Sequence, residues 1–214
     1  MKKVILFDLD GTLIDSTDAI IETFYYSFKK KNFNFLGSYE DIKKEIGYPL
    51  DVMYEKFGVA KSDVWDFVDI YKQRYKNIAI EQTTLLPNAK ASIDLAKKYA
   101  RLGIVTTKTA QYSIPILKHL GIWEQFECIV GRQEVVNPKP HPEPLFKALE
   151  LMNIKQNDYD IYMIGDTKLD LIAANEAKIK GIGVLSGYGT KDELSKYTNM
   201  IEADVLDAVK RIVL

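Results

Sequence analysis

The chain has 214 residues, of which 29 are Lys or Arg and 30 are Asp or Glu, so its formal net charge is −1. This length predicts one large domain, or one core domain with an insertion. Hydrophobic residues at 47% and charged residues at 28% exclude a disordered chain. The balanced charge gives no basis for a nucleic-acid or membrane partner. No apolar stretch reaches the roughly 18 residues of a membrane span.

The single cysteine, Cys128, excludes an intrachain disulfide and a zinc site built from thiolates. Cysteine use of this kind is typical of a reducing compartment, and a cytoplasmic location is the simplest expectation. Cys128 lies within an apolar run, where a buried core position is expected.

Short apolar runs recur along the chain with helical patterns between them. Unbroken runs of this length are typical of strands buried on both faces of a sheet. The runs are residues 4–7, 102–105, 126–130, 161–164 and 182–185. The helical patterns are residues 88–99, 113–120, 144–153 and 170–178. This alternation predicts an α/β fold with a doubly wound, mostly parallel sheet.

Residues 16–83 interrupt the alternation. They contain no convincing buried strand, and they carry aromatic and apolar residues at helical spacing, among them Ile20, Phe24 and Phe28. We therefore predict a core domain formed by residues 1–15 and 84–214, and an inserted α-helical domain formed by residues 16–83. The hinges are expected near residues 15–17 and 82–87.

Two aspartates, Asp8 and Asp10, follow the first predicted strand in the string DLDGT. Carboxylates at positions i and i+2 begin on the same side of an extended chain, and they repel each other unless a cation or proton intervenes. Such an oxygen-rich cluster suits Mg²⁺, and a carboxylate can also act as a nucleophile. The alternative is a polar strand end with a capping aspartate.

A second acidic string, GDTKLD, follows the predicted strand 161–164. If a helix begins here, Asp166 and Asp170 share one of its faces. They are then either metal ligands or acids that cap the helix near the positive end of its dipole.

Two further segments carry groups that suit an anion. Thr106 follows the predicted strand 102–105, where it would hold an anionic oxygen or cap the next helix. Lys139 stands between two prolines, which restrict the backbone and offer a rigid mount for one ammonium group; the alternative is a solvated loop lysine. The histidines His119 and His141 receive no role.

Taken together and in this order, the four strings resemble the motifs of the haloacid dehalogenase (HAD) superfamily. DLDGT resembles motif I, Thr106 motif II, the string PKPHPEP around Lys139 motif III, and GDTKLD motif IV. The helical insertion after motif I is similar in position and length to a C1-type cap. The strings GYPL (47–50) and KPHPEPL (139–145) are most similar to the phosphoglycolate phosphatase branch, and GIVTTK (103–108) to the pyrophosphatase PpaX.

The resemblance implies a Rossmann-like core and a Mg²⁺-dependent phosphatase acting on a small phosphorylated metabolite, with 2-phosphoglycolate as the first expectation. Asp8 is implied to be the nucleophile that forms an aspartyl-phosphate, and Asp10 the general acid and then the general base. The groups implied to hold phosphoryl oxygens belong to Thr106, Thr107 and Lys139. The implied Mg²⁺ ligands are Asp8, the backbone carbonyl of Asp10, Asp166, and Asp170 directly or through water.

Other interpretations stay open at this point. A phosphomutase of the β-phosphoglucomutase type uses the same motifs, and so does an inorganic pyrophosphatase of the PpaX type. A phospho-acceptor receiver domain also combines aspartates, a threonine and a lysine, but it is about half as long and has no cap. Residues 47–50 are either an element of substrate specificity or an ordinary turn between helices. No feature of the sequence bears on the oligomeric state.

Overall fold

The computed structural model describes residues 2–214, which form eight strands in two sheets. The strands are β1 (Lys2–Phe7), β2 (Ile14–Asp15), β3 (Thr84–Leu85), β4 (Ala100–Val105), β5 (Cys128–Val130), β6 (Tyr159–Gly165), β7 (Lys180–Val184) and β8 (Ile201–Glu202). The larger sheet has the order β5-β4-β1-β6-β7-β8, and all of its strand pairs are parallel. The smaller sheet pairs β2 with β3 antiparallel.

Ten α-helices accompany the strands in residues 2–214. They are α1 (Thr17–Lys30), α2 (Tyr39–Lys43), α3 (Leu50–Lys56), α4 (Val64–Ile78), α5 (Ala89–Ala96), α6 (Ala110–His119), α7 (Glu143–Leu151), α8 (Lys168–Glu176), α9 (Lys191–Leu194) and α10 (Val205–Val213). Within these residues, no helix combines the length and hydropathy that a membrane span requires.

The larger sheet is covered by helices on both faces, as its central strand shows. Successive side chains of a strand point to opposite faces, and the whole buried run of β1 is apolar. Ile5 and Phe7 belong to the hydrophobic cluster that includes residues of α5, α6 and α10. Val4 and Leu6 belong to the cluster that includes residues of α7 and α8. The predicted doubly wound α/β fold is therefore confirmed.

The chain order places a topological switch point beside β1. From β1 the chain first builds β4 and β5 on one side, and then crosses to β6 and β7 on the other. In open α/β sheets, ligands bind outside the carboxyl ends of the strands at such a point. The order of strands thus selects the edge where β1, β4 and β6 end.

The segment between β2 and β3 contains only helices, α1 to α4, within the described residues. Their packing centres on aromatic rings: the Phe24 ring centroid lies 4.8 Å from that of Tyr54 and 4.9 Å from that of Tyr71. The buried hydroxyl group of Tyr54 shares a hydrogen bond of 2.6 Å with Ser27. These side chains belong to the same hydrophobic cluster as Ile5 and Phe7, so apolar packing continues from the sheet into the inserted helices.

Four elements were not expected from the sequence: the two-stranded sheet, β8, the short helix α9 and the C-terminal helix α10. Strands of two residues are too short to show a periodic pattern. Helix α10 does show one, because its buried residues Val205, Ala208, Val209 and Ile212 recur at helical spacing. The helix packs chiefly against α5.

Candidate active site

Three polar side chains begin where β1, β4 and β6 end. Asp8, Thr106 and Asp166 each directly follow one of these strands, and all three are buried. The backbone N–H of Asp8 donates to the carbonyl of Ile164 at 2.8 Å, and that of Thr106 donates to Val130 at 2.9 Å. Ladder hydrogen bonds therefore extend past the strand ends and hold these residues in register.

Asp8, Asp166 and Asp170 form an acidic cluster. Each offers one carboxylate oxygen, and these oxygens all lie within 4.8 Å of one another. Asp166 and Asp170 are fully buried, and Asp8 is 5% exposed. Asp170 lies in the first turn of α8, where its Oδ2 accepts hydrogen bonds from the backbone N–H and the hydroxyl group of Thr167.

The ammonium group of Lys139 joins two members of the acidic cluster. Its Nζ lies 2.9 Å from Oδ1 of Asp8 and forms an ion pair with Oδ1 of Asp170. It also donates to the carbonyl oxygen of Val105 at 2.9 Å. Because an ammonium group has three protons, these three partners can engage all of them and fix its position.

Asp166 is held from both sides. Its Oδ1 accepts from the hydroxyl group of Thr12 at 2.9 Å, and its Oδ2 accepts from the backbone N–H of Tyr188 at 2.8 Å. A Cβ atom added at Gly11 or at Gly187 would lie 2.4 Å or 2.1 Å from Oδ2 of Asp166. Both positions therefore need glycine, and Gly11 also has a φ of +81°.

Burial and mutual repulsion disfavour the charged forms of the clustered carboxyl groups. Burial raises the pKa of Asp8 to about 7, against a lowering contribution from Lys139 and a further raising one from Asp170. Burial, followed by the charges of Asp8 and Asp170, raises the pKa of Asp166 well above its usual range. Burial alone would lower the pKa of Lys139, but the charges of Asp170 and Asp8 outweigh it and keep the pKa above its usual range.

The side chain of Asp10 faces a second lysine. Lys108 Nζ lies 2.9 Å from Asp10 Oδ1, and both side chains are largely buried. The hydroxyl group of Ser16 donates to the same oxygen. Lys108 also lies over the ring of Tyr75, 4.6 Å from its centroid, in a geometry that attracts a cation to the ring face.

The two threonines that follow β4 have different surroundings. The hydroxyl oxygen of Thr106 accepts from the backbone N–H of Lys108 at 3.1 Å, so its proton is left to donate. The hydroxyl group of Thr107 donates instead to the carbonyl of Gly47, at 2.8 Å. This hydrogen bond joins the sheet edge to the loop between α2 and α3, and phosphate binding by Thr107 stays a prediction.

A cavity of about 350 Å³ opens beside Asp10. Its lining comes from the inserted helices and from the loops at the sheet edge, including Gly47, Tyr48, Leu50, Thr107 and Lys108. The loop at residues 47–50, proposed from the sequence as an element of specificity, therefore contributes to the cavity wall.

The structure brings together the predicted residues Asp8, Asp166, Asp170 and Lys139, with Thr106 at the next strand end and Asp10 at the cavity. Sequence reasoning missed Lys108, Thr12 and the segment 187–188. Lys108 and Thr12 lie in the same strings as Thr106 and Asp10. Their closeness in sequence to these predicted residues could have indicated that they belong to the site. The backbone N–H of Tyr188 contacts Asp166 whatever side chain the residue carries, so no sequence pattern indicates this contact. His119 and His141 are both exposed.

The acidic cluster fits a divalent cation. Three buried carboxylates face one ammonium group, and when ionised they leave two negative charges in excess. Carboxylate oxygens are the ligands that Mg²⁺ takes. Each carboxylate oxygen can accept more than one interaction, so Asp166 keeps lone pairs for a metal while bonded to Thr12 and Tyr188.

Comparison with known proteins agrees with this fold. The family model described as "Haloacid dehalogenase-like hydrolase" matches residues 5–184. The phosphoglycolate phosphatase of Colwellia psychrerythraea is 31% identical over 207 residues, 92% of this chain and 90% of that protein. The pyrophosphatase PpaX of Anoxybacillus flavithermus is 32% identical over 199 residues, 90% of this chain and 88% of that protein.

Two solved structures have the same fold. A predicted phosphatase from Clostridium acetobutylicum has a TM-score of 0.89 at 28% identity, covering 100% of this chain and 99% of that one. A haloacid dehalogenase-like family hydrolase from Streptococcus pneumoniae has a TM-score of 0.86 at 28% identity, covering 99% and 98%. The chain belongs to the haloacid dehalogenase-like hydrolase family. It is an enzyme of the phosphatase class within that family.

Proposed function

We propose that the protein is a Mg²⁺-dependent phosphatase that hydrolyses a small phosphorylated metabolite through an aspartyl-phosphate on Asp8. The observation that carries this proposal is the contact of Asp8 with Lys139 at 2.9 Å, in a buried site with Asp10 two residues away at the wall of a cavity. A nucleophile, a cation and an acid–base group are thereby held close together.

In the first half-reaction, a carboxylate oxygen of Asp8 attacks phosphorus, and the bond from phosphorus to the ester oxygen breaks. Asp10 donates a proton to the departing alkoxide. In the second half-reaction, Asp10 takes a proton from water, which attacks phosphorus and releases phosphate and free Asp8. The hydroxyl group of Thr106 and the ammonium group of Lys139 hold phosphoryl oxygens during both steps, Lys139 with the proton that faces Asp8 before the attack.

Asp8, Asp166 and the backbone carbonyl of Asp10 are the proposed ligands of Mg²⁺, with Asp170 directly or through water. When bound, the cation offsets the repulsion between the phosphate dianion and the carboxylates. Since Oδ1 of Asp170 contacts Lys139 and its Oδ2 contacts Thr167, its main task is to position Lys139.

We further propose that residues 16–83 act as a cap domain on a core formed by residues 1–15 and 84–214. The hydrogen bond from Thr107 to the carbonyl of Gly47 supports this role, because it joins the proposed cap to the sheet edge beside the site. A cap in this place limits water and contacts the leaving group. A cytoplasmic location is part of the same proposal.

The relatives supply the first substrates to test. A phosphoglycolate phosphatase and a pyrophosphatase PpaX match the chain at similar identity, so 2-phosphoglycolate and pyrophosphate head the panel. A phosphomutase of the β-phosphoglucomutase type is the alternative, since it returns the phosphoryl group to a sugar instead of water.

The experiment is phosphate release from 2-phosphoglycolate, pyrophosphate, several sugar phosphates and phenyl phosphate, with Mg²⁺ and with EDTA. We expect release that requires Mg²⁺, and its loss in Asp8→Asn. Conversion of a sugar phosphate to its isomer without free phosphate would favour the mutase. Release that persists in Asp8→Asn would contradict the covalent mechanism.

A further inference from the structure

We propose that the leaving group of the substrate has an apolar body that ends in a second anionic group, which Lys72 and Arg132 bind. The inference rests on the proposed function, since it names the class of substrate that the same site accepts. It concerns two lining residues of the cavity that belong to none of the four motifs.

The cavity is large for the first substrates of the panel. Its volume of about 350 Å³ lies within the range of roughly 300–1,000 Å³ that is typical of sites for organic ligands. A leaving group with more than the five non-hydrogen atoms of glycolate therefore suits this space.

The apolar side chains of the cavity wall favour a leaving group with an apolar body. Side chains from α1, α3 and α4 supply most of the apolar lining: Ile20, Leu50, Met53, Trp65, Val68 and Tyr71. Five of these six are at least partly buried in the protein, and Trp65 is 58% exposed. Apolar and aromatic walls with few polar groups are typical of sites that bind organic ligands, and flat rings stack favourably on aromatic side chains.

Two cations in the same lining lack a carboxylate partner. Among residues 2–214, neither Lys72 nor Arg132 has an acidic oxygen within 4.0 Å, although both line the cavity. Lys72 belongs to α4 of the inserted helices, and Arg132 follows β5 of the sheet. Each side of the cavity therefore contributes one positive charge.

The remaining charges in the lining do not cancel this pair. Lys108 is neutralised by its ion pair with Asp10, which leaves Asp51 as the only other acid among the lining residues. The cavity lining as a whole thus keeps a positive excess, which favours an anionic ligand. A neutral sugar phosphate would leave both cations without an anionic partner.

The test uses two non-hydrolysable probes of equal size, 4-carboxybenzylphosphonate and 4-carbamoylbenzylphosphonate, titrated calorimetrically into the full protein with Mg²⁺. Only the first carries the second negative charge. We expect the wild type to bind the carboxyl compound about 10-fold more tightly, a factor typical of one charge-assisted contact. Lys72→Gln and Arg132→Gln should each reduce this preference to about twofold or less.

The matched control is Lys76→Gln, one turn farther along α4 at an exposed position outside the cavity lining. It should keep the full preference. Asp51→Asn, which removes the opposing charge, should increase it. Equal affinity of the wild type for both probes, absence of binding by either probe, or a preference that survives both Gln substitutions would overturn the inference.

Hydrolysis of the corresponding esters separates this inference from the proposed function. The substrates are 4-carboxyphenyl phosphate and 4-carbamoylphenyl phosphate, compared by kcat/KM. Selective binding of the carboxyl phosphonate without hydrolysis of any ester would contradict the phosphatase proposal and leave the inference standing. Hydrolysis of both esters at equal kcat/KM, with equal affinities for the two phosphonates, would support the phosphatase proposal and contradict the inference about the second anionic group.

Discussion

Lys108 Nζ lies 2.9 Å from Asp10 Oδ1, although 98 positions separate the two residues. The contact joins the segment after β1 to the segment after β4, and it places a cation against the proposed acid–base group. Burial alone would lower the pKa of Lys108, but the charge of Asp10 and the neighbouring Tyr75 keep it above its usual range. Lys108 therefore stays protonated and holds the carboxylate in place.

The first prediction concerns this lysine as a positioning residue. Lys108→Met should lower kcat by about 10- to 100-fold, because a misplaced acid–base group loses much of its contribution. Lys108→Arg should restore part of the rate, since it keeps the charge. Steady-state kinetics on phenyl phosphate measure both, with the exposed Lys118→Met on α6 as the control. Equal rates for Lys108→Met and the control would refute the role.

The second prediction concerns the pH dependence of stability in the metal-free protein. The pKa of Asp8 is about 7 in the folded protein, against an ordinary value of 3.8 for an aspartate side chain. Between these values the folded protein keeps a proton that the unfolded chain has lost, so the contribution of Asp8 to stability falls as the pH rises. Asp8→Asn cannot titrate at this position and should therefore escape this loss.

Urea unfolding in EDTA at pH 5 and pH 8 measures the effect. The free energy of unfolding of Asp8→Asn, relative to the wild type, should be higher at pH 8 than at pH 5 by a few kcal/mol. The comparison between the two proteins cancels the titration of groups distant from the site. An identical difference at both pH values would show that Asp8 does not retain its proton in the folded state.

The third prediction is that Mg²⁺ stabilises the folded protein through Asp166. A ligand at 100 times its dissociation constant adds about 2.7 kcal/mol to the free energy of unfolding. Thermal unfolding with increasing Mg²⁺ should show this in the wild type and much less in Asp166→Asn. Asp94→Asn, at an exposed position on α5, is the control. The same Mg²⁺ response in Asp166→Asn as in the wild type would remove that residue from the ligand set.

The fourth prediction tests the close approach of the chain to Asp166. A Cβ atom at Gly187 would lie 2.1 Å from the Asp166 carboxylate, so Gly187→Ala must displace one or the other. We expect a destabilisation of about 1–3 kcal/mol and weaker Mg²⁺ binding. Leu185→Ala, an exposed position on the same loop, should leave Mg²⁺ affinity unchanged. If Gly187→Ala binds Mg²⁺ as tightly as the wild type does, the loop has moved and the Asp166 carboxylate has kept its position, which would contradict the prediction.

The sheet and its site edge were predictable because their signals are local. An unbroken apolar run such as β1 indicates a strand buried on both faces, and an acid directly after it falls at the carboxyl end. The predicted residues Asp8, Thr106 and Asp166 meet because parallel strands share that end.

The cavity was not predictable in the same way. Which side chains line it depends on how α1 and α4 are rotated about their axes, and tertiary packing between aromatic rings such as Phe24 and Tyr71 decides that rotation. For the same reason the sequence analysis gave Lys108 no role. The sequence shows a lysine two residues after Thr106, but it does not show that the side chain of this lysine points toward Asp10. Contacts made by backbone groups, such as the N–H of Tyr188, are independent of residue type.

The short pairing of β2 with β3 has a consequence for how this enzyme can change. Ile14 pairs with Leu85 and Asp15 pairs with Thr84, so the chain leaves the core and returns to it through adjacent points. Everything between those points can be lengthened, shortened or exchanged without pulling the catalytic strands apart. In the proposed division of roles, the inserted helices supply most of the apolar contacts to the leaving group, so exchange of this stretch offers a route to a new substrate while the aspartates stay where they are.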